Sequence, residues 1–71
     1  MMAEQDDAER AAATRRELAK ARNRAVQASR RLDLAARAGA SIEQVRALDV
    51  QRLERKQVVA ELEKRIREME I

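Results

Sequence analysis

Residues 37–44, which read RAGASIEQ, have the composition of a turn that reverses the chain between two helices. Gly39 is the only glycine in 71 residues and there is no proline. Glycine readily adopts the left-handed conformation that ends many helices. Ser41, followed three residues later by Gln44, forms a capping box, which is typical of a helix N-terminus. These signals predict a turn at about 39–41, between a first helix over about 4–38 and a second over about 42–70.

Small and apolar residues on either side of this turn follow the alternating three- and four-residue spacing of a coiled coil. In the first helix this spacing selects Leu18, Ala21, Ala25, Ala28 and Leu32. In the second helix it selects Val45, Leu48, Val59, Leu62, Ile66 and Met69. The first pattern fails at Gly39 and a different one begins after it. The sequence therefore predicts an all-α fold, a two-helix antiparallel hairpin of the coiled-coil type, as a single domain over residues 1–71.

Folding at about residue 40 brings together positions whose numbers add to about 80. Leu18 then faces Leu62, and most other layers pair a small residue with a large one. Arg52 and Arg55 are the charged residues of this seam, and they fall opposite alanines. Their aliphatic stems can lie across alanine while the guanidinium reaches water or a carboxylate; alternatively, they set the register or form a binding site. A single straight or bent helix is the alternative to the hairpin.

The predicted core is small. Hydrophobic residues make up 45% of the chain, but fifteen of them are alanine and none is aromatic. The chain has no cysteine and no histidine, so disulfides and the common zinc sites are not available to stabilise it. A second apolar set lies outside the seam, and we expect it to form a partner interface: Val26, Ile42, Leu53 and Ala60. Self-association into a four-helix bundle, or burial in a larger protein assembly, would cover it.

Basic charge is concentrated in the first helix, where residues 10–37 hold nine Lys or Arg and two acidic residues. Such a helix can bind a nucleic-acid backbone, with Arg15, Arg22 and Arg30 as possible contacts. The alternative is a solvated face whose arginines pair with glutamates of the second helix. Because the chain has no aromatic residue, stacking on single-stranded bases is disfavoured.

Catalysis and cofactor binding have no support in the sequence. Only Thr14, Ser29 and Ser41 carry hydroxyl groups, and no metal, cofactor or signal-peptide pattern is present. No apolar run is long enough to span a membrane, and we expect a cytoplasmic location. We expect a non-enzymatic structural or adaptor protein that self-associates, of bacterial or phage type. The alternatives are a nucleic-acid-binding regulator that uses the first helix, and a small inhibitor or antitoxin that binds one cognate protein.

Overall fold

A computed structural model describes residues 2–69, with side chains described from Asp6 onward. It contains helix α1, Met2–Arg37, and helix α2, Ile42–Met69, which pack against each other along their lengths. The molecule measures 58 × 14 × 13 Å. The prediction of an all-α, two-helix antiparallel hairpin is therefore confirmed. Within residues 2–69, neither helix has an apolar stretch long enough to cross a membrane.

The helix bounds differ slightly from those predicted. Helix α1 begins at Met2 rather than near residue 4, and it ends at Arg37, so that Ala38 belongs to the turn. Asp6 and Asp7 lie in the second turn of this helix, towards the positive end of its dipole. The predicted end of the second helix, at residue 70, lies outside the described residues.

A Schellman motif ends α1. The amide of Gly39 donates to the carbonyl of Ala36 at 3.3 Å, and the amide of Ala40 donates to the carbonyl of Ala35 at 3.0 Å. Gly39 has a φ of +80°, the left-handed conformation that this motif needs. The motif satisfies carbonyls that a helix end would otherwise leave unpaired. It also turns the chain back towards α1.

A reciprocal capping box starts α2. The amide of Gln44 donates to Ser41 Oγ at 3.2 Å, and the amide of Ser41 donates to Gln44 Oε1 at 3.1 Å. Two amides at the N-terminus of α2 are thus hydrogen-bonded to side chains within the same four residues. The turn is therefore specified by local hydrogen bonds, and it does not depend on contacts from elsewhere in the chain.

The core lies between the helices, towards the ends remote from the turn. Leu18, Ala21 and Leu62 form a buried cluster, and Val59 and Ile66 pack against it. Ala28 and Thr14 are also buried, and the Thr14 hydroxyl donates to the carbonyl of Arg10 at 2.9 Å, which satisfies it within α1. Alanine on α1 lets the two backbones approach, and the large aliphatic residues of α2 fill the space. Helix pairing therefore rests on a few large side chains.

The other predicted seam residues are less covered. Partial burial is found at Ala25, Leu32, Val45, Leu48, Val59 and Ile66. Met69 is 41% exposed, although it borders the same groove as Ala11 on α1. It lies near the open end of the hairpin, where few residues are available to cover it. Arg55 is exposed, whereas Arg52 is partly buried.

We predict that Gly39→Ala lowers the free energy of unfolding by about 1 kcal/mol, because a residue with a Cβ is strained at positive φ. No atom lies within 4 Å of the position that this Cβ would occupy, so the loss is conformational and not steric. Urea unfolding followed by circular dichroism measures it. Gly39→Asn is the control, since asparagine tolerates this conformation better, and it should lose less. Equal stability of Gly39→Ala and the parent chain would contradict this account of the turn.

We predict that Leu62→Ala lowers the free energy of unfolding by about 2 kcal/mol or more, because it truncates the side chain of α2 that is buried in the cluster. Val58→Ala, four residues earlier and 44% exposed, is the matched control and should cost about 0.5 kcal/mol. The same denaturant titration compares the two variants. Similar losses in both would mean that the cluster around Leu62 does not hold the helices together.

Candidate interaction surfaces

One side of the hairpin carries exposed small and apolar residues from both helices. On α1 these are Ala12, Ala19 and Val26, spaced by seven residues, and on α2 they are Leu53 and Ala60, with the same spacing. Residues seven apart lie on the same side of a helix, because seven residues make nearly two full turns. We call these five residues, together with Ile42, the apolar side.

An ion pair between the helices shows that the two stripes lie on the same side of the hairpin. Arg22 Nη2 lies 3.4 Å from Glu63 Oε1. Arg22 follows Ala19 by three residues, and Glu63 follows Ala60 by three, so each is a close neighbour of its stripe. Ile42 precedes Leu53 by about three helical turns and falls on the same side of α2. The four predicted interface residues are thus brought to one side.

The large residues of the apolar side are well exposed. Val26 is 49% exposed, Leu53 52% and Ile42 70%. Next to Val26, a groove between the helices is lined by Ala25, Ser29 and Lys56 among others. The hairpin does not cover these side chains itself, so their burial requires a partner.

Arg52 lies at the seam, and its charge is neutralised within α2. Its Nε and Nη2 donate to Asp49 Oδ1 at 2.9 and 2.7 Å. Its side chain is 25% exposed and borders a groove that also includes Leu32 and Val45. Because Asp49 is on the same helix, this ion pair does not link the two helices. It places a satisfied charge beside the seam near the turn.

The arginines that the sequence suggested as nucleic-acid contacts do not form one group. Arg22 is engaged with Glu63 on the apolar side. Arg15, seven residues before it, lies on that side too and also has an interaction of its own. Arg30 is exposed and forms no ion pair with any described residue. The structure thus separates Arg30 from the other two.

A different set of cations is exposed on the outer surface of α1. Between residues 16 and 31, the exposed Lys and Arg residues without an ion pair to a described residue are Arg16, Lys20, Arg24, Arg30 and Arg31. We call this set the basic ridge. Of its members, only Arg30 is among the nucleic-acid contacts predicted from the sequence, because basic charge along a helix does not say which side faces solvent. A helical projection of α1 with its seam placed inwards would have revealed them.

Leu34, which belongs to neither the predicted seam nor the predicted interface, is 64% exposed. It lies eight residues after Val26, about 80° around α1 from it and away from the apolar side. A single exposed leucine of this kind is common on protein surfaces. It provides a useful control position for tests of the apolar side.

The described residues offer little to a catalytic or metal site. Among them there is no group of three or more His, Cys, Asp or Glu residues that could hold a metal ion. No buried side-chain nitrogen or oxygen in this part of the chain lacks a hydrogen-bond partner. Two of the three hydroxyl groups of the sequence serve the helices themselves, at Thr14 and Ser41. The notable features are therefore the two surfaces.

Comparison of the chain with protein-family models, with curated proteins and with solved structures finds no significant match.

Proposed function

We propose that this chain is a non-enzymatic assembly element, a helical hairpin that pairs with a second copy of itself through the apolar side. The observation that carries the proposal is the exposure of Val26, Ile42 and Leu53 on one side of a molecule with a very small core. Two hairpins related by a two-fold axis would form a four-helix bundle, a common arrangement for such elements.

The exposed area supports this proposal. The hairpin exposes 5978 Å² for a mass of 8.1 kDa. A compact monomer of that mass exposes about 4500 Å². The radius of gyration, 16.5 Å, also exceeds the roughly 11 Å of a compact chain of this length. A standard interface buries about 800 Å² on each partner. Pairing of two hairpins would therefore bury about half of the area by which each hairpin exceeds a compact monomer.

The small core supports it as well. Only Leu18, Ala21, Ala28 and Leu62 are buried hydrophobic residues among those described. Chains of this size usually need a disulfide, a metal or oligomerisation in addition to their core, and this sequence has neither cysteine nor histidine. Oligomerisation would add to the stability that regular helix packing provides. A second copy supplies the same apolar residues without requiring any other molecule.

The shape of the apolar side suits contact with itself. In a two-fold dimer the same residues appear on both partners. Ala12, Ala19 and Ala60 leave room for a close approach, and Val26 and Leu53 supply the larger side chains that fill it. The Arg22–Glu63 ion pair lies beside this surface, with side chains 59% and 38% exposed. It would provide a polar margin, as is usual at protein interfaces.

The absence of an enzymatic role is part of the proposal, and it rests on the residue types available. The sequence has no histidine or cysteine to act as a base or nucleophile. Ser41 already caps α2, and Thr14 is buried in the seam. In a larger assembly the paired hairpins would act as a rigid rod that presents other surfaces to further partners.

We predict that Leu53→Asp lowers the mass measured by light scattering from that of a dimer to that of a monomer. The change places a charge from each copy in the desolvated interface, so the dissociation constant should rise at least about 100-fold. Leu53 is 52% exposed in the hairpin, so the helical circular dichroism signal of the variant should be largely retained at high protein concentration.

Leu34→Asp is the matched control, since it makes the same chemical change at an exposed position of α1 outside the apolar side. It should leave the dimer mass unchanged. Val26→Asp tests the same surface from α1 and should reproduce the effect of Leu53→Asp on α2. A monomeric parent chain, or a Leu53→Asp variant with the parent mass, would rule out self-association through this side.

A further inference from the structure

We infer that the basic ridge of α1 is a binding surface for the phosphate backbone of a double-stranded nucleic acid. This inference goes beyond self-association and does not depend on it. The ridge consists of Arg16, Lys20, Arg24, Arg30 and Arg31, all of them exposed.

The charges of the ridge are available for binding. Ion pairs between described residues engage three arginines: Arg22 with Glu63, Arg37 with Asp33 and Arg52 with Asp49. None of the five ridge residues forms an ion pair with a residue that the structure describes. Five exposed cations within sixteen residues are therefore accessible to an anionic partner.

Acidic residues border the ridge on both flanks, and on one of them Asp33 lines the same groove as Arg30. Glu17 and Glu61 line the neighbouring groove together with Lys20 and Arg24, and neither comes within ion-pair distance of those two cations. Of the charged residues between 16 and 31 in the sequence, Glu17 is the only acidic one. An anionic partner would therefore meet a strongly positive surface.

The ridge has dimensions that fit a duplex. At 100° per residue its five cations occupy about one third of the circumference of α1, from the outer surface at Arg30 round to the groove beside α2 that Lys20 and Arg24 line, and at 1.5 Å per residue they extend about 22 Å. The major groove of B-DNA is about 12 Å wide and admits a single helix. Arg30 lies on one flank of the ridge and Arg24 on the other, so that cations face both walls of a groove. The neutral amides Asn23 and Gln27 lie along the midline, towards the base edges.

The ridge and the apolar side lie on different parts of α1, and Arg30, close to Val26, marks the boundary between them. A dimer formed through the apolar side would therefore leave Arg16, Lys20, Arg24 and Arg31 exposed on each copy. Two ridges on one rigid assembly increase the apparent affinity for a long duplex because the second contact is intramolecular.

The residue types favour a duplex over other anionic partners. Single-strand binders stack bases on aromatic side chains, and this sequence has none. Helices that lie on membranes insert a wide apolar face opposite their basic residues. In α1 that face is occupied by α2, through the cluster that includes Leu18 and Leu62. Arginine, which supplies four of the five cations, pairs well with phosphate.

The test is binding of the full chain to a labelled DNA duplex of about 20 base pairs, followed by fluorescence anisotropy. Five phosphate contacts predict a slope of about −4.5 for the logarithm of affinity against the logarithm of salt concentration. That slope corresponds to a loss of about 500-fold between about 50 and 200 mM salt. Duplex RNA, single-stranded DNA and vesicles of anionic lipid serve as the other arms. Duplex DNA or duplex RNA should bind more tightly than single-stranded DNA and more tightly than the vesicles.

Two charge-matched variants locate the surface. Arg16→Glu with Lys20→Glu changes one arginine and one lysine on the ridge; Lys64→Glu with Arg67→Glu makes the same change on exposed residues of α2. The ridge variant should lose at least about 10-fold in affinity and reduce the salt slope by about 2, while the α2 variant should lose less than about 3-fold. Light scattering on both variants reports assembly separately, so that a loss of binding is not mistaken for dissociation.

Equal losses in the two variants would overturn the inference, because net charge alone would then explain binding. Tighter binding to vesicles or single strands than to either duplex would overturn it as well, as would the absence of duplex binding at about 50 mM salt. Preference for duplex RNA over duplex DNA would support the surface and identify RNA as its partner.

Discussion

The contact on which the molecule depends is the packing of small residues of α1 against large aliphatic residues of α2. Leu18, Ala21 and Leu62 are its centre, with Val59 and Ile66 beside them. Neither helix has a wide apolar face, and most of the stability of a helix in a protein comes from packing against its neighbours. The hairpin therefore exists because Ala21 allows α2 to come close enough for Leu62 to be buried. The turn at Gly39 directs the chain back, but it contributes no apolar burial of its own.

This seam also determines what the remaining surfaces can do. Once the seam of α1 faces α2, Val26 lies on one side of the hairpin, and most of the basic ridge lies on the outer surface and the opposite side. Arg22 belongs to the first side, where it pairs with Glu63. The separation gives α1 two surfaces of different character, an apolar one suited to a second copy and a cationic one suited to an anion. In a single straight helix the seam would be exposed to water as well, together with the apolar side and the basic ridge.

Much of the fold was predictable from the sequence because its signals are local. The Schellman motif at Gly39 and the capping box of Ser41 and Gln44 involve residues within a few positions of each other. The surfaces were harder to predict because they depend on where α2 lies. Spacing along α1 does not distinguish Arg22 from Arg16; only the position of Glu63 on the other helix does. The exposure of Met69 likewise depends on the open end of the hairpin, which periodicity does not describe.

The hairpin itself is tested most directly by a distance between spin labels on the two helices. The chain has no cysteine, so Arg16→Cys with Lys64→Cys places two labels at exposed sites, and dilution with unlabelled chain suppresses signals between copies. In the closed hairpin, with helix axes about 8–10 Å apart, the label distance should be about 20–30 Å. A single continuous helix, or a dimer of opened chains, would separate the labels by about 70 Å. A distribution centred near that longer value would contradict the account.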